Sequence, residues 1–224
     1  MSNLMGSDST LRNRYLDQYK DIYGENIYLS SIELVENKIS EIKGGSELTA
    51  FYYLIKDCKD CALVNPDMNF GAGNENANIL FIAESKSQKD GDHNNSLTGE
   101  AGQLFDKILS AIKLTRADIY ISNIFKHTPL ENSDSYQSNI IICESHFQQH
   151  IQLINPTLVV ALGEDVGNKM LNLNEPIENL NGKIHELENF NLMVTYHPDT
   201  ILKNPKLKQP IWEDFKKIRD NYLN

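Results

Sequence analysis

Thr157–Gly163, TLVVALG, is the stretch that decides the fold. Its continuous apolar run, Leu158 to Leu162, lacks the in–out alternation of a strand with one wet face. It is the pattern of a strand buried on both faces, as in a parallel sheet covered by helices. Three further β-type runs stand at NILFI (78–82), ADIYI (117–121) and NLMV (191–194). Between them lie helical patterns. GEAGQLFDKILSAIKL (99–114) gathers Leu104, Phe105, Ile108, Leu109 and Ile112 on one face. SYQSNIIICESHFQQHIQLI (135–154) stops before Pro156, and EDVGNKML (164–171) follows the decisive strand. QPIWEDFKKIRDNYL (209–223) carries Pro210 in its first turn, where the missing N–H costs nothing. Strands alternating with helices predict a three-layer α/β/α fold around a central four-stranded parallel sheet.

Upstream, LRNRYLDQYKDIY, SIELVENKISEIK and ELTAFYYLIKDC read as helices, so residues 1–50 are expected to form a helical extension and 51–224 the α/β/α domain. The chain of 224 residues is 40% hydrophobic, enough for one domain with a real core. No apolar run approaches the ~18 residues that span a bilayer, and the first residues lack the basic-then-apolar order of a signal peptide. The expectation is a cytoplasmic protein with no membrane partner. Three cysteines in a reducing compartment point to metal binding or plain burial rather than a disulfide framework.

The net charge of −10 speaks at face value against a polyanionic partner. Its distribution speaks differently. Residues 1–57 hold nine Asp or Glu against six Lys or Arg, whereas the loops after the expected strands hold Lys86, Lys89, Lys126, Lys203, Lys206 and Lys208. A basic rim on an acidic body is compatible with polyanion binding; lysines of this kind are also ordinary solvated loop residues.

The segments following three of the strands carry the chemistry: AESKSQKD (83–90), SNIFKHTP (122–129) and TYHPDT (195–200). In an open parallel sheet, ligands bind outside the carboxyl ends of the strands, so these segments should meet at one cleft. They bring a carboxylate, an amide and an imidazole, interleaved with lysines. Such a set suits a polar planar ligand such as a nucleobase.

The order of motifs resembles the uracil-DNA glycosylase superfamily, and within it the iron–sulfur branch (family 4), over roughly residues 55–223. The resemblance rests on Cys58-x2-Cys61, FGAGN (70–74), Gly99-x-Ala101-Gly102, SNIFKHTP, the Cys143 helix with its QLINP end, VVALG and the HPD segment. There are departures. Gly-Glu-Ala-Pro-Gly of the family is here Ala83-Glu84-Ser85-Lys86-Ser87. Pro-Phe-Val-Gly is Ser96-Leu97-Thr98-Gly99, so a leucine stands where an aromatic would stack on the base. Lys-Cys-Arg-Pro is Lys126-His127-Thr128-Pro129, and the Ser usual after His-Pro is Asp199.

The resemblance implies a reaction: hydrolysis of the N-glycosidic bond of uracil or a related modified base in DNA, single-stranded or with the base flipped out. Asn123 matches the family's base reader, an amide with one acceptor and two donors; an Asn at a strand end also ties turns. His197 matches the imidazole that donates to a carbonyl oxygen of the departing base, charge that develops only in the transition state. Glu84 would orient a water or stabilise the cationic sugar. Ser85, Lys86, Leu97, Asn123 and Lys126 form the expected substrate-binding set, Lys86 being placed either to contact phosphate or, beside the sugar, to form a Schiff base.

Cys58, Cys61 and Cys143 match three of the family's four cluster ligands, and His127 falls at the fourth. Histidine can ligate iron in such clusters, which implies a Cys3His [4Fe–4S] site of structural role. The same residues satisfy tetrahedral zinc, and free cysteines are among the most buried residues. Two other functions remain open beside uracil excision. One is a nucleic-acid or nucleotide-binding member of the same fold that excises nothing. The other is a glycosylase for a non-uracil modified base, for example in defence against phage DNA, prompted by Leu97.

Overall fold

The computed structural model describes residues 46–56, 68–84, 97–126 and 146–223. The chain divides into two compact units, Met1–Cys58 and Lys59–Asn224. In the first, helix α1 (Glu47–Ile55) is capped by Ser46, whose hydroxyl accepts from the N–H of Thr49 at 3.1 Å, and it buries Leu48, Phe51 and Ile55 along one stripe. The two earlier expected helices lie outside the described residues.

The second unit is built on β1 (Ala72–Gly73), β2 (Ile79–Ala83), β3 (Tyr120–Asn123), β4 (Leu158–Leu162), β5 (Ile184–Glu186) and β6 (Asn191–Thr195), in the order β1-β3-β2-β4-β6-β5. The four inner strands are parallel, as the apolar runs predicted; β2 and β4 are buried at every position. The sequence reading lacked the two antiparallel edges, β1 on β3 and β5 on β6. Two- and three-residue strands are too short to show a period. The FGAGN motif acquires its reason at the first edge. Gly71 and Gly73 hold φ of +127° and +132°, and a Cβ on either would strike the backbone or ring of β3 and its approach.

β3 also begins three residues later than the run ADIYI suggested. Asp118 is spent in a turn, its carboxylate accepting from the N–H and hydroxyl of Thr115 at 2.8 and 2.7 Å. These two bonds hold its carboxyl below the usual carboxylate range.

One face of the sheet carries α2 (Gly99–Ala111) and α7 (Lys208–Tyr222), the other a helix over 146–154, α3, and α4 (Glu164–Leu171). Phe81 of β2, Phe105 of α2 and Phe215 of α7 meet with centroids 5.0 to 6.4 Å apart, the centre of the first layer's core. Behind the sheet, His150 of α3 packs edge-on to Tyr120 at 5.3 Å, and Gly167 of α4 lies against Val194 so closely that no Cβ fits. The expected α2 stops short at Lys113, in the left-handed region at φ +65°, and Leu114 N–H returns to the carbonyl of Leu109. Two short helices, α5 (Ile177–Leu180) and α6 (Pro198–Lys203), complete the described unit. No described helix is long and apolar enough to cross a membrane.

Candidate active site

Parallel pairing places the carboxyl ends of four strands in one row. Asn123 of β3 lies level with Ala83 of β2, from which Glu84 projects; Leu162 of β4 lies level with Thr195 of β6, two residues before His197. Neighbouring strands are ~4.8 Å apart, so the row from Asn123 past Glu84 and Gly163 to His197 spans about 14 Å. The chain turns from β2 to β3 on one side and to β4 on the other. That is a topological switch point, where α/β sheets bind ligands.

Asn123 is 2% exposed, and its Oδ1 has no hydrogen-bond partner among the described residues. A buried acceptor in that state costs about 1–3 kcal/mol, which a ligand's donor would recover. Strand alternation puts this side chain on the α2/α7 side of the sheet, with Ile121 and Ala83.

His197 caps α6. Its Nδ1 accepts from the N–H of Asp199 at 3.2 Å, so in the neutral ring the proton sits on Nε2, which becomes the donor. The Asp199 carboxylate lies 3.8 Å from the same Nδ1. Gly163, at φ +103°, leaves its place in the row without a side chain; a Cβ there would touch that of His197 at 3.7 Å. Below, Thr195 donates to Asp214 at 2.7 Å, and burial pushes the Asp214 carboxyl up, against the pull of Thr195 and Lys217.

Leu97 is 7% exposed and joins the cluster that contains Phe105, Tyr196 and Ile201. Its backbone stands at φ +103°, a conformation that costs a non-glycine residue about 1–3 kcal/mol. Two features hold it there. The guanidinium of Arg116, itself bound to Asp106 at 2.6 Å, donates to the Leu97 carbonyl at 2.7 Å, and Gly102 presses its bare Cα against the same carbonyl.

Lys126 departs from the rim that its loop position suggested. It is 1% exposed, and its ammonium donates to Ser122 Oγ at 2.7 Å, His150 Nδ1 at 2.6 Å and the Phe70 carbonyl at 3.1 Å. Phe70 stacks on His150 with centroids 4.5 Å apart. Burial, and then the charge of Lys126, drives the His150 imidazole well below its ordinary pKa, so it stays neutral and accepts. Sequence reasoning left His150, Ser122 and Phe70 without a role. Ser85 and Lys86, and the expected metal ligands Cys58, Cys61, His127 and Cys143, lie outside the described residues. No group of three or more His, Cys, Asp or Glu able to hold a metal occurs among the described residues.

Fold and site together define an α/β/α protein with an amide, a carboxylate and an imidazole at the mouth of a parallel sheet. The pattern of the uracil DNA glycosylase superfamily matches residues 70–216. A type-4 uracil-DNA glycosylase of Archaeoglobus fulgidus is 30% identical over 174 residues, covering 73% of this chain and 87% of that protein. One of Saccharolobus solfataricus is 29% identical over 177 residues, 74% of this chain and 82% of its own. A DNA polymerase of Bacillus phage SP01 is 26% identical over 153 residues, 68% of this chain but 16% of the polymerase. The chain belongs to the uracil DNA glycosylase superfamily.

Proposed function

We propose that the protein is a DNA glycosylase that hydrolyses the N-glycosidic bond of uracil, or of a closely related base, in DNA. The observation that carries this reading is the buried Asn123 amide, whose Oδ1 lacks a partner among the described residues at the ligand-binding edge of the sheet. An imide edge offers an N–H to that oxygen and a carbonyl to the amide N–H group. As the glycosidic bond breaks, negative charge grows on the base and positive charge on the sugar. The Nε2–H of His197 donates to the base oxygen, and Glu84 faces the sugar and the incoming water. Ser85 and Lys86, with α6 and the short segment that joins it to α7 (198–208), follow the phosphates of a strand whose target base is flipped out or unpaired.

Cys58, Cys61, His127 and Cys143 are the residues that would hold a [4Fe–4S] cluster. Three thiolates and an imidazole fit it chemically, and its contribution would be to staple the chain rather than to react. Anaerobically purified protein should be brown and contain iron and inorganic sulfide in equal amounts. Colourless protein containing zinc would assign the same ligands to a zinc site.

Excision from a labelled single-stranded oligonucleotide with one uracil tests the activity. Wild type should leave an alkali-labile site, and Asn123→Ala and His197→Ala should each lose about 100- to 1,000-fold in rate, the scale of removing one preorganised group. Activity retained in both variants would refute the assignment. Leu97, aliphatic at the stacking position, favours one further substrate: a modified base in place of uracil, read by the same assay on DNA that carries it.

A further inference from the structure

Lys126 sits three residues beyond Asn123 and turns back beneath it. Its three N–H bonds are matched by three acceptors from three separate parts of the chain: Ser122 of β3, His150 of α3 and the backbone of Phe70. A fourth oxygen, the carbonyl of Asn123 itself, lies at 3.5 Å. The Ser122 hydroxyl reaches the Phe70 carbonyl at 3.3 Å, and the N–H of Asn69 returns to the Lys126 carbonyl at 2.6 Å. Ser122 points behind the sheet and Asn123 in front of it, so this knot grips the strand end from the side opposite the base. Charge-assisted bonds in a dry interior are short, directional and expensive to break.

We infer that Lys126 is a positioning residue for Asn123: its ammonium knots Ser122, His150 and Phe70 together so that the strand end presents the Asn123 amide in a single orientation. The inference rests on Asn123 being the base reader. It distinguishes Lys126 from a lysine that contacts DNA phosphate, and from one that merely stabilises the fold.

A double-mutant cycle on single-turnover excision of uracil reads it. Lys126→Met should slow excision about 10- to 100-fold, the effect of a group displaced by roughly 1 Å. In the Asn123→Ala background the same change should cost nothing further, because the residue it positions is gone. Affinity for an oligonucleotide bearing an abasic-site analogue, and its salt dependence, should match wild type. Additive penalties would overturn the inference. So would a salt slope reduced by about one, the mark of a lost phosphate contact. The side-chain amide resonances of Asn123 in the free protein give a readout independent of turnover. They should broaden or split in Lys126→Met, and unchanged resonances overturn the inference even in a protein that excises nothing. An inactive wild type with resonances that do respond would instead count against the glycosylase reading alone. Should Lys126→Met fail to fold, Ser122→Ala, which removes one of the three acceptors, carries the same cycle and the same spectrum.

Discussion

Leu97 concentrates two pressures in one residue. Its φ of +103° is a conformation that glycine adopts freely and leucine does not, yet its side chain is nearly buried, so packing and the Arg116 bond outweigh the strain. An aromatic at this position would add a stacking face worth roughly 1–3 kcal/mol per base, or about 5- to 150-fold in affinity. Leu97→Phe should therefore tighten binding of a uracil-bearing strand, at a cost of about 1–3 kcal/mol in stability from forcing extra bulk into a filled cluster. Equilibrium binding beside a thermal melt checks both halves. Unchanged affinity with lowered stability would remove Leu97 from the base-facing surface.

Among the elements, α2 shows how tertiary contact reverses a local preference. Replacing an interior helical glycine by alanine ordinarily stabilises by roughly 0.5–1 kcal/mol. Gly102 lies in the first turn of α2 with the Leu97 carbonyl where a Cβ would go, so Gly102→Ala must push the turn or the carbonyl aside. The expected outcome is a net loss of about 1–3 kcal/mol by chemical denaturation, together with slower excision as Leu97 moves. A gain in stability would mean that the loop yields without strain. β1 follows the same logic: two residues of edge strand exist only because Gly71 and Gly73 let the backbone close on β3.

For the molecule as a whole, two buried titrating groups tilt stability in opposite directions with pH. His150 has a folded pKa below its ordinary 6.5, so on acidification the unfolded chain takes the proton first. Its contribution is present above pH 6.5 and is lost as pH falls through the folded value. Asp214 has a folded pKa above its ordinary 3.8, so the folded state keeps its proton longer as pH rises. That contribution is complete below 3.8 and is lost as pH climbs through the raised value. His150→Gln should flatten the fall in melting temperature below pH 6.5. Asp214→Asn should gain on wild type progressively above pH 3.8, since the amide oxygen still accepts from Thr195 and no charge is buried. Parallel curves for mutant and wild type across either window would exclude the corresponding group.

By itself the sequence determined the centre of the architecture, four parallel strands between layers of helices. Long apolar runs such as Leu158–Leu162 have only one cheap burial, in a two-sided parallel sheet, and the motif residues follow from which strand each one ends. Asn123 and His197 were therefore legible as residues at the carboxyl ends of two parallel strands. The tertiary structure alone decided what lies behind the cleft. Lys126 reads in sequence as a loop lysine, because its partners His150 and Phe70 stand 24 and 56 residues away. Period and motif are local signals. The bonds that bury a charge are chosen by sheet order, which brings distant residues within hydrogen-bond reach only once the strands are side by side.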